Sequence, residues 1–382
     1  MKETKFSLTG GDIAGTHIAL NGASQINVKT FNLYNTFMNA TKPYVIGVDL
    51  GGTNTVFGIV NADAEVIAEA AIRTQEYKTA EEFVEAGCAC LQPIIEQVGG
   101  IERIKAMGIG APNGNFYAGT IEHAPNLPWK GIVPLGDMFS KALGIPVALT
   151  NDANAAAIGE MIYGAAKGMK NFIVITLGTG VGSGIVINGQ LVYGHDGFAG
   201  ELGHVTMVRG EEGRSCGCGR KGCLEAYCSA TGVARTAREI LEKTDEASIL
   251  REIPAEQITS RDVSIAASKG DKVALDIYKF TGKMLGEACA DFAAFSSPEA
   301  FIFFGGLTKA GDLIMDPIKE AYDNSVLPIF KGKAKFLVSG LTDCLCRQDN
   351  GNRGNTEHQV RRIENDIRRT GNQAGKHLIR LY

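Results

Sequence analysis

Cys216, Cys218 and Cys223 follow a C-x-C-x₄-C spacing within "SCGCGRKGCLE", residues 215–225, and Gly217, Gly219 and Gly222 permit sharp bends between them. Three thiolates need a fourth ligand to close a tetrahedral zinc site. His204 in "AGELGHV", twelve residues before Cys216, is the histidine closest to the cluster. The competing reading is a set of buried, reduced thiols. Cys228 reads as core, and Cys88, Cys90, Cys289, Cys344 and Cys346 show no comparable arrangement. Glu201 and Glu225 flank the cluster. A zinc with three thiolates already carries net negative charge, so both carboxylates are freer to accept hydrogen bonds from a hydroxyl-rich ligand. One His204 nitrogen would bind metal while the other meets that ligand. Two solvated surface glutamates are the plainer alternative.

Two further carboxylates, Asp49 and Asp152, each follow a hydrophobic run and so belong at the carboxyl end of a strand, where sites gather in α/β sheets. A carboxylate there binds Mg²⁺ through water or accepts a proton from an attacking hydroxyl. The bland readings are a helix N-cap for Asp152 and a turn residue for Asp49.

Glycine-rich stretches lie beside them. "DLGGTN" (49–54) and "TLGTGVGSG" (176–184) place glycines where strands end, which lets backbone N–H groups approach an anion, and Thr53 and Thr179 add hydroxyls. Neither is a standard nucleotide fingerprint: G-x-x-x-x-G-K-[ST] is absent, and Ser183 stands where G-x-G-x-x-G needs its third glycine. Each alone fits a tight hairpin. "FIFFGGLTKAGD" (301–312) is a third strand ending in Gly-Gly, suited to the approach of a flat ring or to an ordinary strand–helix turn.

The elements that must position these groups form two copies of one design. Strands are expected at 44–49 and about 55–60, then a turn at "NADA" and a third strand. The second copy has a strand at 171–177, a glycine loop at 178–184, a strand, an Asn188-Gly189 hairpin turn and a last strand. The loops lie about 125 residues apart, and such duplication predicts two related lobes. Helical stretches at 79–98, 153–167, 230–243 and 271–295 complete an α/β protein. Residues 1–42 and 344–382 lack sustained periodicity. The latter holds eight Lys/Arg against four Asp/Glu, and both ends are expected to pack poorly.

At 382 residues the chain has room for two domains, and a net charge of −4 argues against nucleic acid or an anionic membrane as main partner. No signal-peptide pattern and no run near the ~20 apolar residues of a membrane span occurs, so a cytoplasmic protein is expected. There, nine cysteines stay reduced, which favours metal over disulfide for the cluster.

Together "VDLGGTN", "LTNDANAAAIGE", "LGTGVGSG", "GELGHV" and "CGCGRKGCLEAY" resemble, in order and over about residues 43–343, the ROK family of sugar kinases and sugar-responsive repressors. The likeness is strongest to its bacterial glucokinase branch. It implies a two-lobed actin-like ATPase (ribonuclease H-like) fold, with lobes at 43–153 and 154–343. It implies Asp49, Gly51, Gly52, Thr53 and Asn54 as the first phosphate loop, Thr179, Gly180 and Gly182 as the second, and Gly305-Gly306 at the adenosine. Asp152 matches the catalytic base. Asn151, Glu201, His204 and Glu225 match sugar ligands, with Gly114 and Asn126 as weaker contacts because "APNGNF" departs from the commoner Pro-Gly form. His204, Cys216, Cys218 and Cys223 match the ligands of a structural Zn²⁺. The implied reaction is phosphorylation of a hexose, glucose first, at the 6-hydroxyl from ATP with Mg²⁺, by a homodimer. Rival sugars are fructose, mannose and N-acetylmannosamine. A repressor is the rival class, but residues 1–42 are short and insufficiently basic for a helix-turn-helix module. The family's closing helix after "VSGLTD" has no counterpart in "CLCRQDNGNRGNTEHQ".

Overall fold

Strand β1 (Tyr44–Leu50) turns Ile46, Val48 and Leu50 into one core, all at most 1% exposed, as the period-2 alternation of "YVIGVDL" dictates. It starts the first of two five-stranded sheets in the computed structural model, which describes residues 42–63 and 65–341. β2 (Asn54–Val60) and β3 (Val66–Arg73) return as antiparallel neighbours. β4 (Ile104–Ala111) and β8 (Val147–Asn151) add in parallel, giving the order β3-β2-β1-β4-β8. The second sheet has the order β11-β10-β9-β12-β13. It is built from β9 (Phe172–Leu177), β10 (Val181–Ile187), β11 (Gln190–Leu191), β12 (Ala300–Phe304) and β13 (Lys335–Val338). Here too the first three strands are antiparallel and the last two join in parallel. The duplicated β-turn-β-turn-β unit is present, each copy extended by two parallel strands.

Short strands β5 (Gly114–Asn115), β6 (Thr120–Glu122) and β7 (Ile132–Val133) form a third sheet between β4 and β8. Helices α1 (Ala80–Gln97) and α2 (Leu135–Leu143) cover the first sheet, where Phe57, Phe83 and Phe139 meet edge to face. α1 starts at a capping box between Thr79 and Glu82. α3 (Asp152–Ile162) follows β8. α4 (Glu225–Cys228), α5 (Ala230–Lys243), α6 (Ser260–Ser268), α7 (Lys272–Ser296) and α8 (Asp312–Ser325) serve the second sheet. There Ile173, Ile175, Phe301 and Phe303 pack with Ile277, Ile314 and Tyr322.

Three expectations need correction. The loop expected at 178–184 is only Gly178–Gly180, because β10 begins at Val181. Gly182 and Gly184 are strand residues whose missing side chains admit α3: an added Cβ would stand 3.0 Å from Ala153 Cβ and 2.6 Å from Ala157 Cβ respectively. The helix expected to 167 ends at Ile162, where the carboxylate of Glu160 takes the N–H of Ala165 at 2.8 Å. The cap of α3 is Asn151, not Asp152. The Asn188-Gly189 turn is as expected, with φ of 53° and 75°, the left-handed pair that a two-residue hairpin requires. Ile104–Ala111, a strand buried at every position but Lys105 and so without alternation, was not among the expected elements. The expectations for residues 1–41 and 344–382, including Cys344 and Cys346, lie outside the described residues.

Gly184→Val tests the close approach of α3. Overpacking at a contact this short costs roughly 1–3 kcal/mol, so the thermal midpoint should fall by roughly 2–10 °C. A midpoint equal to wild type would refute the packing role.

Candidate active site

The β8–α3 junction carries the first pair of site residues. Ala153 N–H is shared between Asn151 Oδ1 at 2.8 Å and Asp152 Oδ1 at 2.7 Å, which fixes both side chains over the first turn of α3. Register places Asp49 opposite Gly110 and Gly110 opposite Thr150. Asp49 and the approach to Asp152 therefore lie at the same end of the first sheet, separated by a residue with no side chain. Asp152 is open to solvent yet ringed by protein. An open path reaches the carboxyl from solvent, while the protein around it displaces much of its water. Burial pushes the Asp152 carboxyl above its ordinary 3.8, partly opposed by the Ala153 N–H.

The first glycine loop is braced from behind. Gly51 N–H donates to Asn54 O at 3.0 Å, Thr74 N–H donates to Thr53 O at 2.8 Å, and Thr74 Oγ1 donates to Gly51 O at 2.8 Å. Gln75 Nε2 donates to Gly52 O and, at 3.0 Å, to Asn126 O. Asn126 lies directly on Gly52, where a Cβ would meet the Asn126 side chain at 3.2 Å. Thr74 and Gln75 were missed from sequence. The signal was available in the topology: β3 returns beside β2 with Arg73 opposite Asn54, so the next two residues must flank the loop. Gly114 is buried against β8, where a Cβ would stand 2.4 Å from Thr150 O, so its side-chain-free backbone supports the junction from below.

The second loop is short and occupied on one side. Gly182 N–H, expected to face phosphate, donates instead to Thr176 Oγ1 at 3.1 Å. Ala230 N–H donates to Gly178 O at 2.8 Å and Thr231 Oγ1 to Thr179 O at 3.1 Å. Gly180 leaves room for Glu225, whose Oε2 accepts Val181 N–H at 2.9 Å. Gly305, with φ of 110°, lies against Leu177 at the entry to this loop, and Gly306 beyond it is exposed. Ser183, the residue that breaks the dinucleotide pattern, donates to Gly200 O and accepts Leu202 N–H at 3.2 Å, which fixes the backbone on both sides of Glu201.

The cysteine knuckle closes the site. One ligand atom each of His204, Cys216, Cys218 and Cys223 lies within 4.8 Å of every other. Cys218 Sγ and Cys223 Sγ are 3.7 Å apart, and His204 Nδ1 is 3.7 Å from Cys216 Sγ. Zinc–sulfur bonds of about 2.3 Å in a tetrahedron set sulfurs about 3.8 Å apart, so the cage has the size such an ion needs. Burial first, then the neighbouring thiols and the Glu225 carboxylate, push Cys216 up to about 12. His204 Nε2 points the other way, 4.0 Å from Glu201 Oε2. Burial raises the Glu201 carboxyl, His204 lowers it, and the charges of Asp152 and Glu225 raise it again. That mutual influence ties the carboxylates of both sheets into one electrostatic unit. Arg214, another residue missed from sequence, anchors the knuckle: it bonds Glu239 at 2.6 Å and lies over the Tyr227 ring at 4.6 Å.

Comparisons with known proteins agree with this arrangement. The ROK family profile matches residues 45–356. The glucokinase of Halalkalibacterium halodurans is 36% identical over 304 residues, which is 78% of this chain and 91% of that protein. The glucokinase of Streptomyces coelicolor is 39% identical over 72% of this chain and 86% of its own length. Among solved structures, a ROK family glucokinase from Streptomyces griseus in complex with glucose and AMPPNP is 36% identical. It superposes with a TM-score of 0.66 over 78% of this chain and 95% of that one. Xylose repressors match at 27–28% identity.

The charge of Asp152 makes a testable cost. Its carboxyl titrates higher in the folded chain than in the unfolded one, so the folded state holds that proton more tightly. Stability is then lost as pH rises through the folded value. Asp152→Asn should melt higher than wild type at pH 7.5, and the gain should vanish at pH 3, below the unfolded value. Equal midpoints at pH 7.5 would show that the carboxylate is not strained there. With its duplicated sheet, paired glycine turns and cysteine–histidine knuckle matched along most of its length, the chain belongs to the ROK family.

Proposed function

We propose that the protein phosphorylates glucose at its 6-hydroxyl from ATP, with Asp152 as general base. The observation that carries this reading is the convergence of one base, one glycine turn from each sheet and a polar cluster on a single junction. The matches to glucokinases support the substrate pair. Asp49, Gly51, Gly52, Thr53 and Asn54 hold phosphate on one side. Thr179, Gly180 and the Gly305-Gly306 turn receive the nucleotide on the other. Gly182 contributes shape rather than an amide. Asn151, Glu201, His204 and Glu225 orient the sugar, with Asn126 and the Gly114 hairpin at the margin.

Phosphoryl transfer asks mainly for positioning and charge stabilisation. Asp152 takes the proton of the attacking hydroxyl as the bond to phosphorus forms. Burial raises its proton affinity above that of a surface aspartate, which makes its carboxylate the stronger base. Mg²⁺ bound with ATP would neutralise the charge that spreads over the transferring group, and Asp49 is the carboxylate placed to hold it through water. Loop amides add fixed dipoles. Lobe boundaries at 43–153 and 154–343 suit a clamp, since α3 leaves the first sheet and packs on the second. Closure of the two over the sugar keeps water from competing for the phosphoryl group. A repressor role is weaker on the lower identity of those relatives. No described helix is long and apolar enough to cross a membrane, and the described cysteines are free thiols.

An ADP-release assay across a hexose panel tests the reading. Asp152→Ala should lose about 10²–10⁴-fold in kcat with glucose. Equal rates would remove Asp152 from its role, and a stronger response to another hexose would reassign the substrate. For the knuckle, His204, Cys216, Cys218 and Cys223 would hold Zn²⁺ as a brace without a chemical step. Metal analysis should find about one zinc per chain, absent from Cys218→Ser. Zinc-free wild-type protein would defeat the assignment.

A further inference from the structure

Glu225 makes a connection that a sugar ligand does not need. Its Oε2 reaches back 44 residues to accept Val181 N–H at 2.9 Å, and its Oε1 lies 3.6 Å from Cys216 Sγ. The contact depends on glycine at 180, since a Cβ there would stand 2.5 Å from Oε2. The segment that follows repeats the pattern, with Ala230 and Thr231 bonding Gly178 O and Thr179 O. Residues 225–231 therefore engage three of the four residues from 178 to 181. A glycine turn has little intrinsic order, because glycine loses more conformational freedom than any other residue when fixed. Something must set its shape before phosphate arrives.

We infer that Glu225 is a positioning residue for the nucleotide: its carboxylate, accepting Val181 N–H across the space that Gly180 leaves open, sets the second glycine turn. This rests on the phosphotransferase reading above, and goes beyond it in assigning a sugar-side carboxylate to nucleotide affinity. Hydrogen bonds to a charged acceptor are among the stronger ones available to a backbone N–H. Losing this bond should loosen the turn whether or not sugar is bound. A residue that only touched sugar would leave sugar-free nucleotide binding untouched.

The test is titration calorimetry with the magnesium salt of a non-hydrolysable ATP analogue, without sugar, on metal-replete protein. Glu225→Ala should bind about tenfold more weakly or worse, by the size of a charge-assisted bond. Glu225→Gln retains an acceptor oxygen for Val181 N–H and should stay within about threefold of wild type on the same footing. Glu201→Ala should bind nucleotide normally and glucose poorly. Amide exchange gives a second readout, with Val181 N–H losing protection in Glu225→Ala but not in Glu225→Gln. Should the alanine variant lose metal, Glu225→Asp keeps the charge but is one methylene short of Val181, and should show the same nucleotide loss. Wild-type affinity and Val181 protection in metal-replete Glu225→Ala, or in Glu225→Asp, would overturn the inference alone. Failure of wild type to bind the nucleotide would overturn the phosphotransferase reading with it.

Discussion

Asp152 stands where it does because α3 lies on glycine at both of its faces. Gly110 of the first sheet would put a Cβ 3.3 Å from Ala155 Cβ, and Gly182 and Gly184 of the second lie under Ala153 and Ala157. Alanine on glycine brings a helix and a sheet closer than any larger pair of side chains would allow, and interiors packed to crystal density leave little slack in it. The alanine run in "NDANAAAIGE" is thus a spacing device as much as a helix former. Any larger residue along this line would lift Asp152 away from the glycine turns.

Around that seam the protein concentrates like charge. The charges of Asp152 and Glu225 both act on Glu201, and three thiols lie nearby. Burying such groups together opposes folding unless cations and hydrogen-bond donors offset it. Some of the offset is internal: Arg214 fastens the knuckle to α5, and backbone N–H groups serve Asp152 and Glu225. A cation held by His204, Cys216, Cys218 and Cys223, as proposed above, would offset more of it. Strained charge at a functional junction is the expected form of the trade between stability and activity.

Much of this was legible beforehand, for identifiable reasons. The strands of each unit followed from alternation ended by glycine, and the His204 partnership followed from scarcity of histidine near the thiols. What failed was the assignment of function to glycines one by one. Gly182 and Gly184 look like loop residues in sequence because nothing local distinguishes a backbone that must approach phosphate from one that must approach a helix. Thr74, Gln75 and Arg214 escaped because their partners are distant in sequence, and their roles appear only once strand order is known. Ser183 was noted as a defect in a motif, whereas the fold uses its hydroxyl to hold the backbone beside Glu201.

The two sheets share one topology, but the strand closing the first unit spans Val66–Arg73 and its counterpart in the second only Gln190–Leu191. The chain saved there departs on the long excursion that carries Glu201, His204 and the cysteines, just as the β5–β7 insertion departs between β4 and β8. Much of the polar cluster is thereby carried off the sheets, although Asn151 stays at the end of β8. Ancestral copies of the unit could diverge in what they grip while the framework stayed fixed, so selectivity among close sugars is free to drift in the excursions without reworking either sheet.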